Sequence, residues 1–250
     1  MYPIIWQYKS ITIAGYGIML GLAFYLAFLF FERELKIAGK DPELAYKLIL
    51  AVIPSAIIGA KIFHIFENFS EFLSDPAGMI FSGSGLSVQG GFLLAFIICM
   101  AVIKKNNENV LEVFDLVAPP MALGYAIGRL GCHVAGDGCY GIPTASFFGT
   151  AYPNGIVPTS LEVFPTPLFE SFFSFLIVIL LLQLRKKEFT TGKLFFLYLM
   201  LNGIPRFFVE FIRLNPKVIF NITQAQIVAI FFFITGIIGW FLVDRRAKEG

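Results

Sequence analysis

Four cations of this chain, Lys47, Lys61, Arg129 and Arg206, fall inside apolar segments. A charge at hydrocarbon depth is expensive and normally faces a partner or a water-filled cavity, so it marks function. Lys47 lies near a segment start, where its stem can snorkel to water. That leaves Lys61, Arg129 and Arg206, whose common use would be to hold an anionic headgroup. Glu210 follows Arg206 by four residues and shares its helix face, so an ion pair would keep the guanidinium oriented. Glu170 follows a Pro165-Thr166-Pro167 turn on the same expected side as Arg129 and Arg206. Asp115, early in its segment, reads as a structural partner of a helix N-terminus.

The run 124–141, GYAIGRLGCHVAGDGCYG, is the second chemical feature, with six glycines in eighteen residues. Each interior helical Gly costs about 1 kcal/mol relative to Ala, so the backbone here must turn sharply or approach something closely. Cys132, His133, Asp137 and Cys139 invite a metal reading, but their spacing does not reproduce the usual zinc patterns, and the expectation is no metal and no cofactor. A Cys132 to Cys139 disulfide, free thiols and inert packing all stay open. His133 is a candidate general base, weighed against a packing role, with His64 a weaker alternative. Cys99 reads as packing.

These residues need elements to carry them, and the composition says which. The chain has 250 residues, 57% hydrophobic and 14% charged, and a formal charge of +2. With a mean hydropathy of +0.78, a soluble fold is excluded, and no basic field points to nucleic acid. About 20 apolar residues cross a bilayer core, and seven segments qualify: 11–31, 44–66, 85–103, 110–131, 168–184, 194–211 and 218–243. The first lacks a basic lead and ends in Phe30, Phe31 and Glu32 rather than small residues, which argues against a cleaved signal peptide and for a mature chain. Lys and Arg concentrate after the first, third, fifth and seventh segments, whereas the loops 67–84 and 136–167 hold none. By the positive-inside rule the N-terminus is outside and the C-terminus cytoplasmic. The expectation is one all-α integral membrane domain over 1–250, with about seven transmembrane helices and a small outer cap at about 136–167 between helices four and five. Lys61, Arg129 and Arg206 then lie toward the outer leaflet.

At GYAIGRLG the chain resembles the prolipoprotein diacylglyceryl transferases, where a Gly-Arg precedes a polar, glycine-rich stretch. Collinear stretches match as well: Gly15-Tyr16-Gly17, Gly59-Ala60-Lys61, Gly85-Leu86-Ser87-Val88-Gln89-Gly90-Gly91, and Phe114-Asp115 to Pro119. Phe164-Pro165-Thr166-Pro167-Leu168-Phe169-Glu170 is similar to the family's His-Pro-(Ser/Thr)-Gln-Leu-Tyr-Glu. GIPRFFVEFIR, 203–213, is similar to its Gly-x-x-Arg-Phe-x-(Val)-Glu-Phe-x-Arg. The resemblance runs nearly end to end.

It implies a multi-pass enzyme of the bacterial inner membrane. Such an enzyme moves the diacylglyceryl group of phosphatidylglycerol onto the lipobox cysteine of a prolipoprotein signal peptide, forming a thioether and releasing glycerol phosphate. Its partners would be that lipid, that peptide and the surrounding membrane lipids. On this reading Arg129 and Arg206 stabilise the leaving phosphate, while Tyr16, Lys61, Gly90, Gly91, Asp137, Asn202 and Glu210 bind substrate. The departures fall on the chemistry. Gln89 stands at the family's His and cannot accept a thiol proton, so His133 becomes the candidate base and Gln89 a catalytic position without one. Asn202 replaces a Tyr, Lys61 an Arg, and Cys132 to Asp137 the family's Asn-rich run. The alternatives are a divergent relative of the same fold acting on another lipid or acceptor, and a non-catalytic lipid-binding or transport protein. Transporters commonly carry internal repeats, and no repeat is visible between the halves.

Overall fold

The computed structural model describes residues 1–9, 11–82, 85, 87–187 and 189–249. Ser84 at the end of one predicted loop, Leu86 of the third motif, and Gly250 at the end of the predicted domain lie outside the described residues. The chain divides into two compact units, one of residues 1–31 and 114–250, the other of residues 32–113.

The first unit begins with an antiparallel hairpin, β1 (Ile4–Tyr8) and β2 (Ile11–Ala14), that leads into helix α1 (Gly15–Ile37). The second unit takes up the last residues of α1 and adds α2 (Glu43–Glu67), the short helices α3 (Phe69–Ser74) and α4 (Pro76–Phe81), and α5 (Val88–Lys105). The first unit resumes within α6 (Val110–Ala135) and continues through β3 (Thr150–Tyr152), β4 (Thr159–Val163), α7 (Thr166–Leu184) and α8 (Lys193–Val209). A 3-10 turn at Glu210–Ile212, the hairpin β5 (Lys217–Ile219) and β6 (Ile222–Thr223), and α9 (Gln224–Glu249) complete it.

Among the described residues six helices, α1, α2, α6, α7, α8 and α9, are long and apolar enough to cross a membrane. The segment expected as a third span forms the 18-residue α5, which is not among those six. The outward faces are apolar: Phe172, Ile179, Phe231 and Phe241 are exposed, as in a fold whose solvent is lipid. The chain is therefore an all-α multi-pass membrane protein, with three small hairpins among its helices.

Within the first unit, Ala118 and Ala122 of α6, Ile177, Val178 and Leu181 of α7, and Leu194, Tyr198 and Leu199 of α8 form one buried core. Asp115 closes this layer at one end, but it caps α8 rather than its own helix: its carboxylate accepts the backbone N–H of Gly192 at 2.5 Å and of Phe195 at 2.7 Å. A carboxylate there satisfies orphan donors and faces the positive end of the helix dipole. Helices α8 and α9 meet through small residues, because a Cβ on Gly203 would stand 2.7 Å from the Ala229 carbonyl oxygen.

The expected cap between α6 and α7 is a β-rich loop, in which β3 pairs antiparallel with β4. Tyr140 stacks on Tyr152 with ring centroids 5.0 Å apart, over Val163. An isolated bridge between Gly141 and Arg213 joins this loop to the segment after α8. Only glycine permits the approach, since a Cβ at Gly141 would lie 2.3 Å from the Ile212 carbonyl oxygen.

The second unit packs α2 on α5. A Cβ on Gly59 would meet the Gly90 carbonyl oxygen at 2.4 Å, and one on Gly91 would meet that of Ala56 at 2.8 Å. The sequence predicts a turn at Gln89, Gly90 and Gly91; the structure makes it the first turn of α5. There the two glycines bring the helix backbones together, and Gly90 and Gly91 are buried.

Candidate active site

The site grows from three helix ends in the first unit. Tyr125 and Arg129 share a face of α6 at a spacing of four residues, near its C-terminal end. Pro165 and Pro167 start α7 without needing the N–H groups they lack, which sets Glu170 in the first turns of that helix. Asn202 and Arg206 lie four apart on α8, and the 3-10 turn that ends it presents Glu210.

Glu170 is the hub. Its Oε2 lies 3.1 Å from Arg129 Nε, and its Oε1 accepts a hydrogen bond from Arg206 Nη1 and another, at 3.1 Å, from the Tyr125 hydroxyl. The Arg129 guanidinium lies over the Tyr125 ring, 4.9 Å from its centroid. Glu210 Oε2 is 3.7 Å from Arg206 Nη2 and 3.8 Å from Arg213 Nη1, and its Oε1 accepts from Asn215. Arg213 Nη1 is also 3.9 Å from Glu170 Oε2. Tyr125, Glu170, Ser174, Asn202, Pro205 and Arg206 line a small cavity.

Three guanidinium groups thus face two carboxylates, an excess of one positive charge in this cluster. The carboxylates are fully buried, at 1% and 0% side-chain exposure, whereas Arg129 and Arg206 keep 16% and 21%. Buried anions behind partly open cations make an arrangement that orients arginines toward an incoming anion. Arg213 Nη1, though buried, makes no hydrogen bond among the described residues, so it has a donor to give.

His133 lies one turn beyond Arg129 on α6. Its Nδ1 is 2.9 Å from the Tyr152 hydroxyl, and the two rings meet edge to face. Burial holds the Tyr152 phenol well above its usual range, and Asp137 and Tyr140 push it the same way. The hydroxyl therefore stays protonated through neutral pH. Asp137 sits between Gly136 at φ +60° and Gly138 at φ +84°. Its Oδ1 accepts the Cys139 N–H at 3.1 Å. Cys132 and Cys139 are both free thiols. The hydrogen bond from Cys132 holds the Cys139 thiol below its ordinary range, against burial and Asp137. Tyr16, in the first turn of α1, packs near Gly131 and feels the field of Cys132, Asp137, Arg129 and Cys139.

Four predicted positions belong to the second unit. Lys61 Nζ donates to both the carbonyl and the hydroxyl oxygen of Ser82 at 2.9 Å. Gln89 is exposed and its Oε1 accepts the Ser87 hydroxyl at 3.0 Å. Gly90 and Gly91 are the packing contacts described above. Lys47 is exposed and reaches Asp41 and Asn106, as snorkelling requires. His64 Nδ1 accepts a hydrogen bond from the Asn68 side-chain amide at 3.2 Å, and its ring packs against Gly85.

Sequence reasoning paired Arg206 with Glu210, yet its closer partner is Glu170. Arg213 was not among the cations singled out, yet its side chain is only 6% exposed. Glu170 was noted after its Pro-Thr-Pro turn but given no partner, and the missed signal was the i, i+3 spacing of Glu210 and Arg213. Tyr125, four before Arg129, was likewise legible as a face partner.

Buried glutamates paired with arginines at the ends of long apolar helices define a multi-pass membrane protein with a charged cluster among its helices. Residues 3–242 match the prolipoprotein diacylglyceryl transferase family, and the chain belongs to it. It is 30% identical over 251 residues to the phosphatidylglycerol–prolipoprotein diacylglyceryl transferase of Clostridium tetani, covering 100% of both chains. It is 32% identical to a second such enzyme, from Clostridium perfringens, over 96% of this chain and 94% of the other. The Finegoldia magna counterpart is 33% identical over 92% of this chain and 90% of its own.

Proposed function

We propose that this protein transfers the diacylglyceryl group of phosphatidylglycerol to the lipobox cysteine of a prolipoprotein, in the inner membrane of a bacterium. The prolipoprotein sulfur attacks the glycerol carbon that bears the phosphate. The C–S bond forms as the C–O bond breaks, glycerol phosphate leaves with the electron pair, and the thiol proton passes to a base.

The observation that carries this reading is the Glu170-centred cluster, in which one buried carboxylate orients Arg129 and Arg206 from different helices. Negative charge grows on the bridging phosphate oxygen as the bond breaks. Preformed guanidinium donors stabilise that charge without reorganising, and a fork geometry suits phosphate oxygens. Arg213 supplies a further buried donor. Asn202 and Tyr125 line the same small cavity and select for the polar headgroup, and Tyr16 binds the lipid near Gly131.

His133 serves as base in the tautomer that donates Nδ1–H to the Tyr152 oxygen, which leaves the Nε2 lone pair free to take the thiol proton. The clustering of Lys and Arg in the other loops supports a site on the outer half of the membrane.

Purified protein in detergent, incubated with phosphatidylglycerol and a lipobox peptide, should yield a peptide heavier by one diacylglyceryl group. A peptide of unchanged mass, under conditions where a Clostridium relative modifies it, would overturn the reading.

A further inference from the structure

The end of α6 and the loop after it gather two thiols that the transfer chemistry does not use and Asp137, which the resemblance had given to the substrate. Cys132 Sγ, Cys139 Sγ and a carboxylate oxygen of Asp137 all lie within 4.8 Å of one another. The C-x6-C spacing matches no common zinc pattern, but that argument treats ligands as they lie along the chain. Here the last turn of α6 supplies the first ligand, and a turn through two left-handed glycines folds the other two back onto it. We propose that Cys132, Asp137 and Cys139 form a binding site for a thiophilic divalent cation of the Zn2+ class.

The distances and the chemistry both fit. In a tetrahedral site with Zn–S of about 2.3 Å and Zn–O of about 2.0 to 2.2 Å, ligand atoms stand roughly 3.4 to 3.8 Å apart. Closing the cluster from at most 4.8 Å therefore asks for about 1 Å of movement. Two soft sulfurs and one oxygen select Zn2+, Cd2+ or Co2+ over Mg2+ or Ca2+. On binding, each thiol gives up its proton to solvent, the carboxylate binds already ionised, and a water takes the fourth position. The donor set carries three negative charges against two on the cation.

The loop is held in shape before any cation arrives. Asp137 Oδ1 is fixed by the Cys139 N–H, which leaves Oδ2 as the ligand atom. The Cys139 carbonyl accepts the buried Thr166 hydroxyl, and the Tyr140 hydroxyl donates to the Val157 carbonyl at 3.1 Å. A Cβ at Gly136 would stand 2.7 Å from Gly155 Cα, so the turn tolerates little else at that position. A cation here would pin the end of α6 to the cap loop, one turn from Arg129.

The test uses the full-length protein in detergent under reducing conditions, stripped with a chelator and then titrated with Zn2+ or Co2+. Expected are about one ion per chain by elemental analysis, and thiolate-to-cobalt charge-transfer absorption with Co2+. Cys132→Ser and Cys139→Ser should each weaken binding tenfold or more and cut that absorption by about half at saturating Co2+, the double serine variant should remove it, and Asp137→Asn should weaken binding while keeping the absorption. Wild-type binding no greater than that of the double serine variant would overturn the proposal. So would an intact mass, without reductant, showing that the two thiols are joined as a disulfide in the protein as isolated. Diacylglyceryl transfer is not among the readouts, so failure here leaves the transferase reading untouched.

Discussion

Glu170 Oε2 lies 3.1 Å from Arg129 Nε while the other oxygen of the same carboxylate holds Arg206. One side chain on α7 thereby sets the distance between two cations that come from α6 and α8.

That relationship makes Glu170 the most sensitive position in the site. Glu170→Gln keeps the shape but leaves buried guanidinium groups without their counter-charge, which costs about 3 to 5 kcal/mol where a buried pair is broken. A lower unfolding temperature and loss of transfer are expected together. Thermal unfolding in detergent, followed alongside the transfer assay, checks both, and an unchanged melting curve would show that Glu170 does not hold the cluster.

Arg129→Ala removes a donor aimed at the leaving phosphate, and transfer should fall by about 100- to 1000-fold, as for loss of one preorganised donor. Arg129→Lys should recover only part of the rate, because an ammonium cannot reproduce the fork. The measurement is the initial rate of peptide modification at saturating phosphatidylglycerol; a rate within twofold of wild type would remove Arg129 from the chemistry.

If His133 takes the thiol proton, transfer should fall as pH drops and the imidazole becomes protonated. His133→Gln should lower the rate by about 100-fold or more and abolish that dependence. Tyr152→Phe should keep a bell or a step but shift its midpoint, since Tyr152 holds the ring at Nδ1 and itself stays protonated over that range. A pH profile of His133→Gln that overlays wild type would sink the assignment.

Asp115 tests the scaffold apart from the chemistry. Asp115→Ala uncaps α8, and the loss of a good N-cap costs about 1 to 2 kcal/mol. The expected result is a reduced unfolding temperature with near-normal transfer per folded molecule below it, read by pairing a melting curve with the assay. Full stability in Asp115→Ala would contradict the capping role.

Gly203→Val should weaken the contact of α8 with α9, because even a single Cβ meets the Ala229 carbonyl oxygen at 2.7 Å. Overpacking of this kind typically costs about 1 to 3 kcal/mol. Glu210 and Arg213 sit just beyond the same helix, so the variant should also lose transfer. Thermal unfolding and the transfer rate, both unaltered, would show that the contact is slack.

How much of this was legible beforehand differs between fold and site. Apolar segment length and the few internal cations showed the helical membrane class, and the collinear motifs marked the family, because both depend on local composition and order. Arg129, Arg206 and Glu210 were also legible, since a charge in an apolar run stands out in one dimension. Glu170 as hub was not, because its partners lie 41 and 36 residues away along the chain. Arg213 looked like an ordinary loop cation until the bridge to Gly141 buried it.

The sequence by itself determined which segments are apolar, where charge is tolerated at their ends, and which polar residues must have a reason to be there. It could not say which pairs meet. Ion pairing, capping and metal ligation act over a few ångströms in space, and the folded chain alone decides what falls within that reach. Asp115 on α8, Glu170 between two arginines, and Asp137 beside two thiols are contacts that tertiary structure made.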